Sequence, residues 1–139
     1  MLVLDTNVIS EALKPEPNAK VKAWLESQPP TSVFTTAISQ AEILYGVALL
    51  PKGRRQSTLL TAVVLMFEED FRGHVLPFDS EAATIYATLA SVRRQDGHPI
   101  SFADAQIAAV TQSRGGRLAT RNVRDFVGCG IETVNPWDL

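Results

Sequence analysis

The sequence predicts an α/β domain: a three-layer sandwich with a mostly parallel central sheet of about five short strands, flanked by helices. Three observations predict it. Leu2, Val3 and Leu4 form an apolar run that ends in Asp5, which suits a central strand covered on both faces. Short strand-like runs then alternate with longer segments of helical periodicity, the pattern of parallel crossovers. The length of 139 residues, with 45% apolar and 20% charged, suits one domain spanning 1–139.

The elements follow in order. After the first strand, Ser10 to Leu13 is read as a short helical turn, stopped by Pro15 and Pro17. Asn18 is a plausible N-cap for a helix over 19–27, in which Val21, Trp24 and Leu25 share a face. Residues 31–36 hold Val33 and Phe34 among threonines and read as the second strand. Ser39 to Glu42 reads as a capping box opening a helix over 39–50, with Ile38 and Ile43 as a hydrophobic staple. A second helix over 54–71 completes a hairpin. Residues 74–78 form a third strand, and Pro77 argues for a sheet edge or a strand terminus. Asp79 caps a helix over 80–95, and Asp96-Gly97 stops it. Ser101 to Asp104 is a second capping box, for an alanine-rich helix ending near Ser113 before Gly115-Gly116. Residues 117–120 and 132–134 supply the last two strands, joined by a loop or helical turn over 121–126.

Composition excludes several classes. The net charge of -2 offers no global attraction to nucleic acid, although a local basic face is compatible with it. Cys129 is the only cysteine, so neither an intrachain disulfide nor a thiolate-rich metal site is expected. A strand starting at residue 2 leaves no room for a signal-peptide core, and no stretch reaches the roughly 18 apolar residues of a membrane span. The expected location is cytoplasmic, with no membrane partner. There is no Gly-rich phosphate loop, dinucleotide fingerprint or Gly-x-Ser-x-Gly elbow. His74 and His98 fall in separate segments, which argues against a histidine-based metal site or general base.

The acids are more informative. Asp5 ends a strand, Glu42 and Asp104 fall in the first turns of two helices, and Asp125 follows the fourth strand. In a parallel sheet, strand ends and the starts of the following helices share one rim, where ligands bind. Asp104 follows a helix, so its place depends on the crossover. Carboxylates gathered there raise one another's pKa unless a cation intervenes. Oxygen ligands suit Mg²⁺ or Mn²⁺, and the chemistry implied is phosphodiester hydrolysis, with one metal or with two roughly 4 Å apart. Each acid also has a purely structural reading. Asp5 suits an Asx turn, Glu42 and Asp104 suit the third position of a capping box, and Asp125 suits a surface loop.

Four segments extend this reading. Leu-Asp-Thr-Asn at 4–7, Ala-Glu-Ile-Leu-Tyr-Gly at 41–46, Phe-Ala-Asp-Ala-Gln-Ile-Ala at 102–108 and Leu-Ala-Thr-Arg-Asn-Val-Arg-Asp-Phe at 118–126 occur in this order. With them the chain resembles the PIN-domain family, specifically the VapC and FitB-like toxins of bacterial type II toxin–antitoxin pairs. The resemblance covers essentially the whole chain, and Val-Asn-Pro-Trp at 134–137 resembles the FitB-type branch. It implies a Mg²⁺- or Mn²⁺-dependent endoribonuclease acting on tRNA, rRNA or mRNA. By position Asp5, Glu42 and Asp104 match the three central acids and the implied metal ligands. Asn122 stands where some members place an acid, so either Asp125 supplies the fourth carboxylate or the site is built mainly for one metal. Thr6, Asn7 and Thr120 match supporting positions.

RNA requires nearby positive charge. Arg121 and Arg124 share the loop of Asp125 and are candidate phosphate contacts, whereas Arg93 and Arg94 suit the C-terminal end of a helix. The hairpin holds more apolar residues than one helix pair needs for its core, among them Tyr45, Leu49, Leu60 and Val64. The resemblance makes this surplus the seat of a cognate antitoxin helix, and it implies a homodimer. The alternatives are a DNA- or flap-cleaving nuclease of the same fold and a non-catalytic scaffolding domain.

Overall fold

The computed structural model describes all residues, 1–139. Five strands form one sheet in the order β3-β2-β1-β4-β5, and every neighbouring pair is parallel. They are β1 (Leu2–Leu4), β2 (Val33–Thr36), β3 (Val75–Leu76), β4 (Arg117–Ala119) and β5 (Thr133–Val134). The helices are α1 (Thr6–Ala12), α2 (Ala19–Glu26), α3 (Ala37–Ala48), α4 (Arg54–Leu65), α5 (Ser80–Gln95) and α6 (Phe102–Ser113). All of β1 is buried at the centre of the sheet. Its side chains alternate between layers, as a strand's period of two requires. Leu2 and Leu4 join Val8, Ile9, Val21, Ile43 and Val63 on one side. Val3 joins Leu118, Leu89 and the small residues Ala105, Ala108 and Ala109 on the other. These two apolar layers on either face of the sheet make the three-layer sandwich.

Several local readings change. The first helix starts at Thr6, directly after Asp5, rather than at Ser10. Asp5 caps it, its carboxylate accepting the Thr6 N–H at 2.9 Å. The first helix of the hairpin begins at Ala37, two residues before Ser39. Thr36 is its N-cap, with its hydroxyl accepting the Ser39 N–H at 3.0 Å. Thr36 and Ser39 are both acceptable caps by composition. Thr36 serves because β2 runs to it and delivers it in extended geometry, φ -113 and ψ 157. Ile38 therefore lies inside the helix and staples nothing. Glu42 moves from the first turn to the second, which removes the capping explanation for its carboxylate.

The helix over 54–71 is α-helical only to Leu65. It widens into a π turn over Met66–Asp70, closed by the Phe71 N–H on the Met66 carbonyl at 3.0 Å. β3 is the sheet edge and stops at Leu76, immediately before Pro77. Ser101 caps α6 through a 3.2 Å bond from the Asp104 N–H. The Asp104 carboxylate returns no bond to the Ser101 amide, so only half of the predicted box forms. No helix is long and apolar enough to cross a membrane.

Candidate active site

The carboxyl ends of β1, β2 and β4 meet at one rim. A cleft of about 460 Å³ opens there, lined by Asp5, Thr6, Asn7, Glu42, Asp104 and Asn122. Asp5 sits deepest, at 5% exposure. Its amide donates to the Ala119 carbonyl at 2.9 Å, which carries the sheet pairing one residue past β1. Its second carboxylate oxygen accepts the Thr120 hydroxyl at 2.7 Å and the Asn7 amide at 3.3 Å. The Thr120 hydroxyl accepts the Asn122 N–H at 3.1 Å, and the Asn7 carbonyl oxygen accepts the Arg121 N–H at 3.2 Å. Asp5 thus ties the start of α1 to the loop after β4.

Glu42 is held separately. The Thr6 hydroxyl donates to its carboxylate at 2.7 Å and lies 2.9 Å from the Ser39 hydroxyl. Thr6 has one hydroxyl proton and spends it on the carboxylate, so Ser39 is the donor in the second pair. Thr35, fully buried on β2, donates to the Leu4 carbonyl at 2.9 Å and satisfies the last carbonyl of β1 beside the cleft.

The electrostatics are those of unneutralised acids. Burial pushes the Asp5 carboxyl up to about 6, against the bonds from Thr120 and Thr6, and the Asp104 and Glu42 charges add to the rise. Burial also raises Asp104, against Ser101, and the nearby Asp125 and Glu42 charges raise it further. The ion pairs in the structure are Lys14 with Glu11 and Arg114 with Asp79, so no basic side chain pairs with Asp5, Glu42 or Asp104. No group of three or more His, Cys, Asp or Glu side chains stands close enough to enclose a metal ion alone. The donors still suit a hard divalent cation. They are carboxylate oxygens in a shared cleft, two of them shifted toward protonation, and such cations often bind through one or two carboxylates plus water and phosphate oxygens.

The structure separates the remaining predicted residues. Asn122 lines the cleft, whereas Asp125 stands on a 3₁₀ turn over Val123–Phe126, outside the lining but near enough to perturb Asp104. Arg121 reaches the cleft, and its guanidinium lies 5.0 Å from the centre of the Trp137 ring, a cation–π distance. Arg124 is exposed on the 3₁₀ turn and does not line the cleft. The sequence reading did not single out Ser39 as a side-chain donor, nor Glu11, Lys14 and Trp137 as cleft residues. Glu11 accepts the Asn18 N–H at 2.9 Å and pairs with Lys14 at 2.9 Å, and these contacts hold its carboxyl below the usual range. The spacing of Glu11 and Lys14 on one helix was a usable signal for that pair. Trp137 carried none, because only the fold brings the chain end to the cleft.

An all-parallel α/β sheet with an unneutralised carboxylate cleft at its carboxyl rim defines a class of acid-site domain. The comparisons identify the family within it. The PIN domain family profile matches residues 2–127. Toxin FitB of Neisseria gonorrhoeae is 40% identical over 137 residues, covering 99% of each chain. VapC ribonuclease Y4jK of Sinorhizobium fredii is 38% identical over 138 residues, again covering 99% of each. The solved structure of FitAB bound to an IR36 DNA fragment superposes with a TM-score of 0.94 at 40% identity, covering 100% of this chain and 97% of that one. The chain belongs to the PIN-domain family, and it is similar over nearly its whole length to the VapC/FitB-like toxins.

Proposed function

We propose that this protein is a metal-dependent endoribonuclease that serves as the toxin of a type II toxin–antitoxin pair. One observation carries the reading. Asp5, Glu42 and Asp104 come from three different elements, share one cleft and have no basic partner. Their segments are those in which the chain resembles the PIN-domain toxins, and that resemblance makes them the family's central acids.

In this mechanism Asp5 and Asp104 are the principal ligands for Mg²⁺ or Mn²⁺, and Glu42 holds the cation or orients the attacking water. The cation supplies positive charge at the scissile phosphate and makes a water more acidic. Thr120 and Asn7 fix the Asp5 carboxylate, and Thr6, backed by Ser39, fixes Glu42. Asn122 lines the cleft with a neutral amide, and Asp125, beside the cleft, adds its charge next to Asp104. Arg121, set against Trp137, binds an RNA phosphate, with Arg124 contributing at the outer edge.

The partner reading rests on a second cavity. An apolar groove of about 900 Å³ runs between α1, α3 and α4, lined by Leu13, Ile43, Val47, Leu50 and Leu59. It shares Thr6, Ser10, Lys14 and Glu42 with the acidic cleft. A cognate antitoxin helix in this groove has direct access to the acids. Tyr45 and Leu49, exposed on α3, extend the apolar surface open to that antitoxin, and the family resemblance adds a homodimer.

The test is cleavage of purified tRNA and rRNA by wild type and Asp5→Asn, with Mg²⁺ or Mn²⁺ against EDTA. Cleavage by wild type alone, abolished by EDTA, is expected. Equal cleavage by both proteins, or cleavage that survives EDTA, overturns the assignment.

A further inference from the structure

We propose that Arg93 is a positioning residue that holds the Asp125 turn in register with the acidic cleft, an inference that rests on the ribonuclease reading above. Arg93 lies in the last turn of α5, where a cation suits the helix end. Its guanidinium is committed elsewhere. Nε donates to the His98 carbonyl at 2.7 Å. Nη1 donates to the Asp125 carbonyl at 2.8 Å and the Val127 carbonyl at 2.9 Å, and lies 3.4 Å from the Cys129 sulfur.

These oxygens are main-chain acceptors, so Arg93 grips the path of the backbone and not a particular side chain. No carboxylate pairs with it. The loop also folds around its stem: Gly128 has φ +79, and a Cβ there would stand 3.9 Å from Arg93 Cδ. The 3₁₀ turn needs such a hold. It has no side-chain cap, and among its residues only Phe126 is buried. The same guanidinium also bonds the connection between α5 and α6, which leads to Ser101 and Asp104. One side chain therefore links the two segments that carry Asp104 and Asp125.

A lysine keeps the charge but cannot reproduce the planar fork. Charge-assisted bonds are the stronger ones, so their loss frees the turn. A displacement of about 1 Å at a reacting group costs up to about a hundredfold in rate. Arg93 lines no part of the cleft, so the effect falls chiefly on kcat through Asp125, and KM rises only by the share of binding that Arg124 on the same turn contributes.

The experiment compares full-length wild type, Arg93→Lys, Asp125→Asn, the double variant, and the core control Leu89→Val on the same helix. Arg93→Lys is expected to lower kcat by about tenfold, with a smaller change in KM. The double variant is expected to be no slower than Asp125→Asn alone, and Leu89→Val to keep wild-type kcat. An unchanged kcat in Arg93→Lys, a silent Asp125→Asn, losses that multiply in the double variant, or an equal loss in Leu89→Val overturns the proposal. Amide exchange separates this from failure of the underlying reading. If wild type cleaves no RNA, the ribonuclease assignment falls. Faster exchange confined to residues 123–129 in Arg93→Lys then upholds the clamp, and unchanged exchange there refutes it.

Discussion

Asp5 performs two tasks with one carboxylate. One oxygen caps α1, and the other faces Thr120 and Asn7. The site is costly to the folded protein when the acid ionises, because its folded pKa of about 6 exceeds the ordinary value of 3.8. The sign follows from linkage. The stabilisation from protonated Asp5 is fully present below the unfolded pKa and is lost as pH rises through about 6. Its full size is up to about 3 kcal/mol. In EDTA, thermal unfolding of wild type should therefore show this component disappearing between pH 4 and 7. Asp5→Asn should lack it, so the variant gains on wild type as pH rises. A constant gap across that range would refute the assignment of the slope to Asp5. Asp104 tests the other side of the problem. Its carboxylate leaves the capping bond to Ser101 unreciprocated, so Asp104→Asn should abolish metal-dependent cleavage while unfolding within about 1 kcal/mol of wild type. Cleavage and denaturant titrations on one preparation decide it.

At the level of elements, α3 shows how a cap choice places a catalytic candidate. Because Thr36 and not Ser39 opens the helix, Glu42 projects from the second turn, where the Thr6 hydroxyl meets it. Ser39, fully buried, gives up the predicted capping role and becomes Thr6's hydrogen-bond partner. Thr36→Ala should cost about 1–2 kcal/mol of stability, because the buried Ser39 N–H loses its acceptor. Thr36→Ser should recover most of that loss. Ser39→Ala should leave the cap intact and act on activity through Thr6. A large fall in the unfolding midpoint for Ser39→Ala, with none for Thr36→Ala, would reverse these roles.

For the whole molecule, the sheet order brings the acids together. β1 lies between β2 and β4, so the loops after all three strands open at one end. The acid repulsion this creates links ion binding to folding. A divalent cation that binds only the folded chain stabilises it by about 2.7 kcal/mol at a hundredfold excess over Kd. Mn²⁺ should therefore raise the Tm of wild type by several degrees at pH 7. The rise should shrink near pH 4, where protons compete for the carboxylates, and Asp5→Asn should lose most of it. An equal rise in both proteins would place the ion elsewhere.

The sequence by itself determined the class of fold, because the strand runs are short and the first four are separated by helix-length crossovers. It also determined where two helices start, at Asn18 and Asp79, and where two stop, at Asp96-Gly97 and Gly115-Gly116, because caps act over a few residues. Asp5, Glu42 and Asp104 stood out from local position and from their segments. Tertiary structure decided what local rules leave open. Two legal caps stood three residues apart at Thr36 and Ser39, and the end of β2 chose between them. Asn122 entered the cleft because Thr120 and Asn7 hold the start of the loop after β4, while Asp125, whose carbonyl Arg93 binds, remained beside it. Arg93, in the last turn of α5, turned its guanidinium to the Asp125 and Val127 carbonyls, and Trp137 came to Arg121 from the end of the chain. Those contacts join residues distant in sequence, and only the closed fold sets their distances.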